Sequence, residues 1–331
     1  MSGYFILAPM AELSHRALRE LIEGFGGCDE YFTEMISAGG LLAGGPFEKW
    51  YIDAGPKPEK TVFQLVGGPS PCKEILLTPI IKAAGVLDRL DCAGIDINMG
   101  CSAPIIRKNG AGAAWMADID RAGELICGVR AVVKRRLSVK LRIGYSDDFE
   151  YLVRFCRRLE SAGAELITLH PRLVTEKFKR CARWDYVDRL RQELKIPVVG
   201  NGDIADAKDL AMRALTPTGS FVPVMVGRAA VRRPWIFAQA KAVLPPNTSF
   251  VPNIEETGLR FLELLARCQP PEFHVSRAKR FFGFFCDNLK WGNYLKNKIN
   301  REETLMGIER VWRGYFIEQD QHKKNEADSG Q

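Results

Sequence analysis

A thiol, a set of cations and two glycine turns are the groups in this sequence best suited to chemistry. Cys101 closes the run Asn98-Met99-Gly100-Cys101. A free thiol titrates near about 8.5, close enough to neutrality to hold and release a proton. Lys140 and Arg142 stand two residues apart, so an extended strand turns both to one side. His170 adds an imidazole, and Asn201-Gly202-Asp203 and Gly227-Arg228 are short turns that can offer backbone N–H groups to an anion. Together these groups suit proton transfer beside a bound anionic ligand.

Such residues need a frame, and the hydrophobic pattern supplies one. Short β-rich runs cover Tyr4–Pro9, Tyr31–Met35, Thr61–Val66, Gly94–Asn98, Ser138–Ile143, Leu166–Pro171, Pro197–Asn201 and Phe221–Val226. Between them lie segments of helical period, among them Ser14–Phe25, Lys73–Ala84, Asp118–Lys134 and Phe149–Ala162. Eight such alternations predict a parallel (β/α)₈ TIM barrel over residues 1–245. No Gly-x-Gly-x-x-Gly follows the first strand, which argues against an open dinucleotide-binding sheet. Each chemical group named above then falls at the carboxyl end of a strand, where barrels place their reactive residues. Ala8-Pro9-Met10, Thr33-Glu34-Met35 and Gln64 complete the set of eight ends. One polar strand end is an ordinary capped turn, but eight exceed what a scaffold requires.

Residues 246–253, rich in proline and asparagine, read as a linker. Beyond it the pattern is helical throughout, with Glu255–Cys268, Val275–Leu289, Asn293–Ile299 and Glu302–Tyr315 as separate pieces, so a small all-α bundle is expected over 254–320. The polar tail 321–331 is expected to be disordered. If barrel and bundle are separate units, removing the chain from Glu255 onward spares the barrel's ligand site.

The 331 residues are 46% hydrophobic and 26% charged, which excludes a chain that is disordered throughout. No apolar run approaches the roughly 18 residues of a membrane span, and the N-terminus has no basic leader, so a cytoplasmic protein is expected. Nine cysteines with no Cys-x-x-Cys pair read as reduced, mostly buried thiols, and four histidines without a His-Glu-x-x-His motif give no reason to expect zinc. Nothing implies an obligate protein partner, and a monomer is expected.

The ordered set of strand ends resembles the tRNA-dihydrouridine synthase family. That family carries an early Ala-Pro-Met, then Thr-Glu-Met, Gln-Leu-x-Gly, Asn-x-Gly-Cys, Lys-x-Arg-x-Gly, His-x-Arg, Asn-Gly-Asp-Ile and Val-Gly-Arg. The first three here are Ala8-Pro9-Met10, Thr33-Glu34-Met35 and Gln64-Leu65-Val66-Gly67. Asn98-Met99-Gly100-Cys101, Lys140-Leu141-Arg142-Ile143-Gly144 and His170-Pro171-Arg172 follow, and Asn201-Gly202-Asp203-Ile204 and Val226-Gly227-Arg228 close the series. The match runs in order over essentially the whole chain.

The resemblance implies an FMN-dependent oxidoreductase that reduces the C5–C6 double bond of a D-loop uridine in tRNA. NADPH (or NADH) would be the reductant and Cys101 the general acid. It assigns Pro9, Met10, Ala11, Gln64, Lys140, His170, Asn201, Gly202, Asp203, Gly227 and Arg228 to FMN, and Asn98, Arg142 and Arg172 to the substrate. The chemistry of the cofactor agrees. Gln64 suits its pyrimidine edge and Lys140 a reduced, anionic ring, while the last two turns stand where barrels bind phosphate. In one departure, the family has proline directly after the cysteine, whereas this chain reads Cys101-Ser102-Ala103-Pro104.

Positive charge gathers in Arg172–Arg183 and again in Arg277–Arg301, where seven basic residues face only Asp287. A basic stripe interleaved with aromatic rings suits RNA, with cations for phosphates and exposed rings for unpaired bases. His274, Arg277, Lys279 and Arg280 are the expected tRNA contacts, whereas the phenylalanines nearby are expected mainly in the bundle core. The run His274–Arg280 resembles the bacterial branch that acts on position 16 of the D-loop. Two rival readings are an FMN barrel oxidoreductase for a small pyrimidine and a tRNA-binding homologue without catalysis.

Overall fold

The computed structural model describes residues 3–69, 78–176, 179–216, 218–243 and 252–329. Its eight strands are β1 (Phe5–Leu7), β2 (Glu30–Ser37), β3 (Thr61–Val66), β4 (Gly94–Met99), β5 (Arg136–Gly144), β6 (Leu166–Leu173), β7 (Val198–Asn201) and β8 (Val224–Val226). All pair in parallel with their sequence neighbours, and β1 closes on β8 through Phe5↔Val224 and Leu7↔Val226. The expected TIM barrel is therefore present.

Helices α1 (Arg16–Glu23), α2 (Ala38–Ala43), α3 (Glu48–Tyr51), α4 (Thr78–Asp88), α5 (Pro104–Lys108), α6 (Ile119–Val132), α7 (Phe149–Ser161), α8 (Trp184–Glu193), α9 (Ala207–Arg213), α10 (Arg228–Arg232) and α11 (Ile236–Val243) follow the strands. Asp118, Asp148 and Asp206 cap α6, α7 and α9 by accepting from Arg121, Tyr151 and Asp209 N–H, so the sequence marks these starts chemically. The segment 73–77 of one expected helix and most of the expected linker lie outside the described residues.

Strand alternation divides the residues between two cores. Odd-numbered positions such as Phe63, Ile95, Ile97, Leu137, Val139, Ile167 and Leu169 pack against the helices. The alternate positions of each strand face the barrel interior, where Ile6, Phe32, Val62, Leu166, Val199 and Met225 form a smaller apolar plug. Below the plug, Arg136 pairs with the buried Glu30. Above it, the inward positions turn polar, and the site begins there.

The C-terminal helices are α12 (Ile254–Cys268), α13 (Pro271–Phe285), α14 (Gly292–Arg301) and α15 (Leu305–Ser329). They share one continuous core with α1, α10, α11, β1 and β8. Phe261 stacks on Phe281 at 3.7 Å between ring centroids, and Trp235 of the barrel meets Phe285 edge-on at 6.1 Å. A Cβ on Gly258 would lie 2.4 Å from the Trp312 ring, so glycine there lets α15 lie flat on α12. A shared core offers no plane at which the bundle detaches, which differs from the expectation of separable units.

Two boundaries also differ from the sequence reading. α13 begins at Pro271 rather than Val275, because a proline at the first helical position forgoes an N–H that would have no partner there. The tail expected to be disordered is helical through Ser329. No glycine or proline interrupts that stretch of the sequence before Gly330, so helix propensity carries on.

Candidate active site

Parallel register brings the polar strand ends level with one another. Gln64 pairs across to Asp96, Asn98 to Lys140, and Arg142 to His170. These side chains form a chain of hydrogen bonds that ends at Cys101. Ser138 Oγ donates to Asp96 Oδ1 at 2.7 Å, and Gln64 Nε2 donates to Asp96 Oδ2 at 2.8 Å. Asn98 Nδ2 donates to Gln64 Oε1 at 2.8 Å, and Asn98 Oδ1 accepts from Gly100 N–H and Cys101 N–H at 3.1 and 2.9 Å. Burial raises the Asp96 carboxyl to about 6 even though both donors favour its charged form.

This network departs from two expectations. Gln64 has 0% exposure and gives its amide to Asp96 and Asn98, so it supports the loop rather than offering a donor to a cofactor. Asn98 is also buried and spends its oxygen on the Cys101 turn rather than on a base edge. Sequence reading missed Asp96 and Ser138. The alternation Gly94-Ile95-Asp96-Ile97-Asn98 is the signal that finds Asp96, since it sets a carboxylate on the same inward face as Asn98.

Cys101 is half-exposed, and its loop is tightly fixed. Ala113 N–H donates to Cys101 O at 3.0 Å, and Arg142 Nε donates to Gly100 O at 3.0 Å. Gly112 has φ +60°, and a Cβ there would fall 2.7 Å from Cys101 O. Pro104 occupies the first turn of α5, so the displaced proline starts that short helix while the Cys101 backbone stays anchored by Asn98. Beside the loop opens a cleft of about 720 Å³, lined by Ser37, Val66, Gly67, Ile106, Lys108 and Asn109 among others. A larger cleft of about 880 Å³ lies between α1, α12 and α15, but no strand-end residue lines it.

Beside the thiol and on round the barrel mouth, the ends of β5, β6, β7 and β8 carry a cationic cluster. Lys140 is pushed down to about 8 by burial and by Arg142, against the pull of Asp96. Burial, with Lys140, Arg142, Arg172 and Arg228 nearby, holds His170 well below the ordinary imidazole range. Its ring is therefore neutral, and His170 Nε2 accepts from Arg172 Nη1 at 2.9 Å. Beyond Asp96, the carboxylates of Asp203 and Glu176 are already engaged. Asp203 accepts from Arg172 Nη2 at 2.6 Å and from Ala182 N–H at 2.7 Å, while Glu176 accepts from Arg183 Nη2 at 2.6 Å. Although burial works against it, the Arg172 hydrogen bond keeps the Asp203 carboxyl below its usual range. Positive charge is thus left in excess.

Asp203 and Arg172 were expected at ligand and RNA, yet the structure pairs them with each other, with Arg172 buried. Asn201 Nδ2 donates to Met225 O at 2.9 Å and ties β7 to β8. Gly202 has φ +127°, and a Cβ there would lie 2.9 Å from His170 Cδ2 and 3.1 Å from Ala182 Cβ. Met10 Sδ would lie 3.6 Å from a Cβ on Gly227, so Pro9, Met10 and the exposed Ala11 form the rim between β1 and β8.

An anionic cofactor with phosphate and a reducible ring fits these residues. The turns at Gly202 and Gly227 follow β7 and β8, where barrels bind phosphate, and Lys140 and Arg228 supply charge.

The expected RNA residues divide. Arg277 is buried at 2% exposure, with Nη2 2.9 Å from Glu34 Oε2, and cannot meet a phosphate. His274 is half-buried, its Nε2 2.9 Å from Gln269 O. Lys279 and Arg280 do reach the surface. Lys177 and Phe178 lie outside the described residues. Phe281, Phe282 and Phe285 are fully buried, whereas Trp291 and Tyr294 are 61% and 56% exposed. Lys290 stands over the Trp291 ring at 5.8 Å and Lys298 over Tyr294 at 4.7 Å.

Comparison with known proteins fits this arrangement. Over 244 residues the chain is 33% identical to a probable tRNA-dihydrouridine synthase of Rhodobacter capsulatus, covering 72% of this chain and 71% of that one. A probable tRNA-dihydrouridine synthase of Aquifex aeolicus is 32% identical, over 72% and 73% of the two chains. The tRNA-dihydrouridine synthase B of Xanthomonas campestris is 28% identical over 94% of this chain and 92% of its own. A nitroalkane oxidase structure from Streptomyces ansochromogenes overlaps with a TM-score of 0.41 at 13% identity over 93% and 90% of the chains, too slight a likeness to add weight. The model of the dihydrouridine synthase family matches residues 6–325, and the chain belongs to that family.

Proposed function

We propose that this protein reduces a uridine in the D-loop of tRNA to dihydrouridine, with FMN as hydride carrier, NADPH or NADH as reductant and Cys101 as proton donor. One observation carries the reading: a thiol on an anchored loop shares one barrel mouth with a cluster of cations that begins on the neighbouring strand. Reduced FMN, when bound, supplies the hydride for C6 of the uracil. Lys140, His170, Arg228 and the turns at Gly202 and Gly227 hold the cofactor, with Lys140 placed to balance the negative charge of its reduced ring. Cys101 Sγ gives its proton to C5, and the thiolate left behind regains one from solvent. Arg142, bonded to Gly100 O and Leu173 O, fixes the floor on which the base lands.

The substrate must be turned out of its stack to reach this depth, and a loop base pays least for that. Lys279, Arg280, Lys298 and Arg301 are the proposed phosphate contacts, and the exposed rings of Trp291 and Tyr294 support unpaired bases. Those two rings favour RNA over a free pyrimidine, because a small-molecule enzyme gains nothing from aromatic groups kept in water. A target at position 16 rests on the resemblance of the run His274–Arg280 alone, whose Arg277 is buried. The test is a dihydrouridine map of total tRNA from cells lacking the gene. Loss at one D-loop position establishes reaction and target together, whereas an unchanged map rules out the tRNA reading.

A further inference from the structure

We propose that Arg277, a residue of the C-terminal bundle, is a positioning residue for the flavin rim, acting through Glu34 on the loop Pro9–Ser14. The inference rests on the FMN reading of the strand ends.

Glu34 stands in β2 where the pairing with β3 slips between Phe32 and Met35, and it is 4% exposed. Its two carboxylate oxygens face different parts of the molecule. Oε1 accepts from Glu12 N–H at 2.6 Å, and Oε2 meets Arg277 Nη2 at 2.9 Å. Glu12 has φ +63°, a left-handed conformation that a residue with a side chain keeps only when its surroundings hold it there. The same loop is closed at its other end by Ser14. Ser14 Oγ accepts from Met10 N–H at 2.9 Å, and Met10 O accepts from Leu13 and Ser14 N–H at 3.1 and 3.0 Å. Met10 in turn packs beside Gly227, where the β8 turn begins. The rim thus has two anchors, one within the loop and one that reaches into the bundle.

The bundle side is equally well defined. Arg277 lies over the Phe273 ring at 4.5 Å and near the Tyr51 ring at 5.7 Å, and its Nη1 donates to the buried Gln269. A buried ion pair gives little net stability compared with an apolar pair of the same size, so its value lies in fixing geometry. The geometry fixed here is that of Glu12. Burial already raises the Glu34 carboxyl against the pull of Arg277 and Arg19, so without Arg277 the buried site no longer tolerates its charge. The carboxylate then turns toward water and releases the Glu12 N–H.

The test titrates FMN into flavin-free protein and follows the quenching of flavin fluorescence, for wild type, R277M, R277K and the double variant E34Q/R277M. Melting temperatures of the flavin-free forms and tRNA affinities at moderate salt are measured alongside. R277M is expected to weaken FMN by roughly tenfold or more, with tRNA affinity unchanged. E34Q/R277M removes both charges but keeps an amide oxygen for Glu12 N–H, so it restores FMN affinity toward wild type. R277K keeps the charge and loses the forked contact; it carries the test if R277M does not fold, and FMN affinity must again fall. Equal FMN affinity in wild type and whichever single variant folds overturns the inference, even if melting temperatures drop, because that is the pattern of a purely structural contact. Loss of tRNA affinity alone overturns it as well and returns Arg277 to the RNA surface. Wild-type protein that takes up no FMN refutes the functional reading, and the inference falls with it.

Discussion

Cys101 owes its position to side chains that never reach the surface. Asn98 holds the Cys101 N–H, Gln64 holds Asn98, and Asp96 holds Gln64, so the thiol is anchored to the barrel interior. On the neighbouring strand, Lys140 is a cation kept near its titration point by burial and by Arg142. Its value of about 8 gives a signed expectation. Below pH 8 the ammonium is charged with or without FMN, and FMN affinity is insensitive to pH through this group. Above pH 8 the free protein has lost a proton that binding an anion takes back, so affinity falls by about tenfold per pH unit. Fluorescence titration between pH 6 and 10 checks this, and Lys140→Met should bind more weakly with a flat profile. A wild-type profile that is also flat removes Lys140 from the cofactor site. The sequence exposed most of the chemical groups at this scale but not their roles. Gln64, Asn98, Asp203 and Arg172 were legible as strand-end residues, yet their side chains bond to one another, and a pairing between strands far apart in sequence leaves no local trace.

The elements that matter most at the site are two loops built around glycines. Gly112 lets the chain pass 2.7 Å from where its Cβ would strike Cys101 O, and Gly202 does the same beside His170. Their replacements should separate the two halves of the reaction. A positive-φ residue forced to carry a side chain costs about 1–3 kcal/mol locally, enough to disturb one loop without unfolding the barrel. Gly112→Ala should lower product formation while leaving FMN affinity intact, and Gly202→Ala should weaken FMN about tenfold. Paired measurements of flavin affinity and turnover decide whether the loops act separately. Helix α14 supports a third expectation. Trp291 and Tyr294 stack rather than pair, so Trp291→Ala should cost about 1–3 kcal/mol of tRNA affinity without changing its salt dependence. Arg301→Ala should instead reduce the slope of log affinity against log salt by roughly 0.7–0.9. Loss of slope in the tryptophan variant contradicts the stacking role. The strands and caps of the barrel were readable because alternation and Asp caps are local signals. The start of α13 was missed because its proline sits at the one helical position where proline fits.

At the scale of the whole molecule, the helices after residue 252 complete the barrel rather than hang from it. The apolar face of α1 shares a core with the phenylalanines of α12 and α13, and Arg267 and Arg277 reach back to Glu20 and Glu34 on the barrel side. Removing the bundle takes Phe285 from Trp235 and Phe261 from His15, and losing the packing around one such aromatic side chain costs about 3–5 kcal/mol. Calorimetry should therefore show one cooperative transition, and a chain cut before Glu255 should fail to yield a folded barrel that binds flavin. Two well-separated transitions contradict the shared core. The sequence predicted the bundle but not its union with the barrel, since both halves of that interface are ordinary amphipathic helices whose partners are not written in their own pattern.

The central claim is that Cys101 and a flavin bound at the same barrel mouth reduce a tRNA uridine together. Its most direct test incubates unmodified tRNA with FMN-loaded protein and NADPH, and maps dihydrouridine by mass spectrometry for wild type and Cys101→Ala. The wild type should add two hydrogens to one D-loop uridine. The variant should stay yellow and still oxidise NADPH with oxygen, yet form product about 10²–10⁴ times more slowly. Product at the wild-type rate in the variant, or no dihydrouridine from a yellow wild-type protein that oxidises NADPH, contradicts the account.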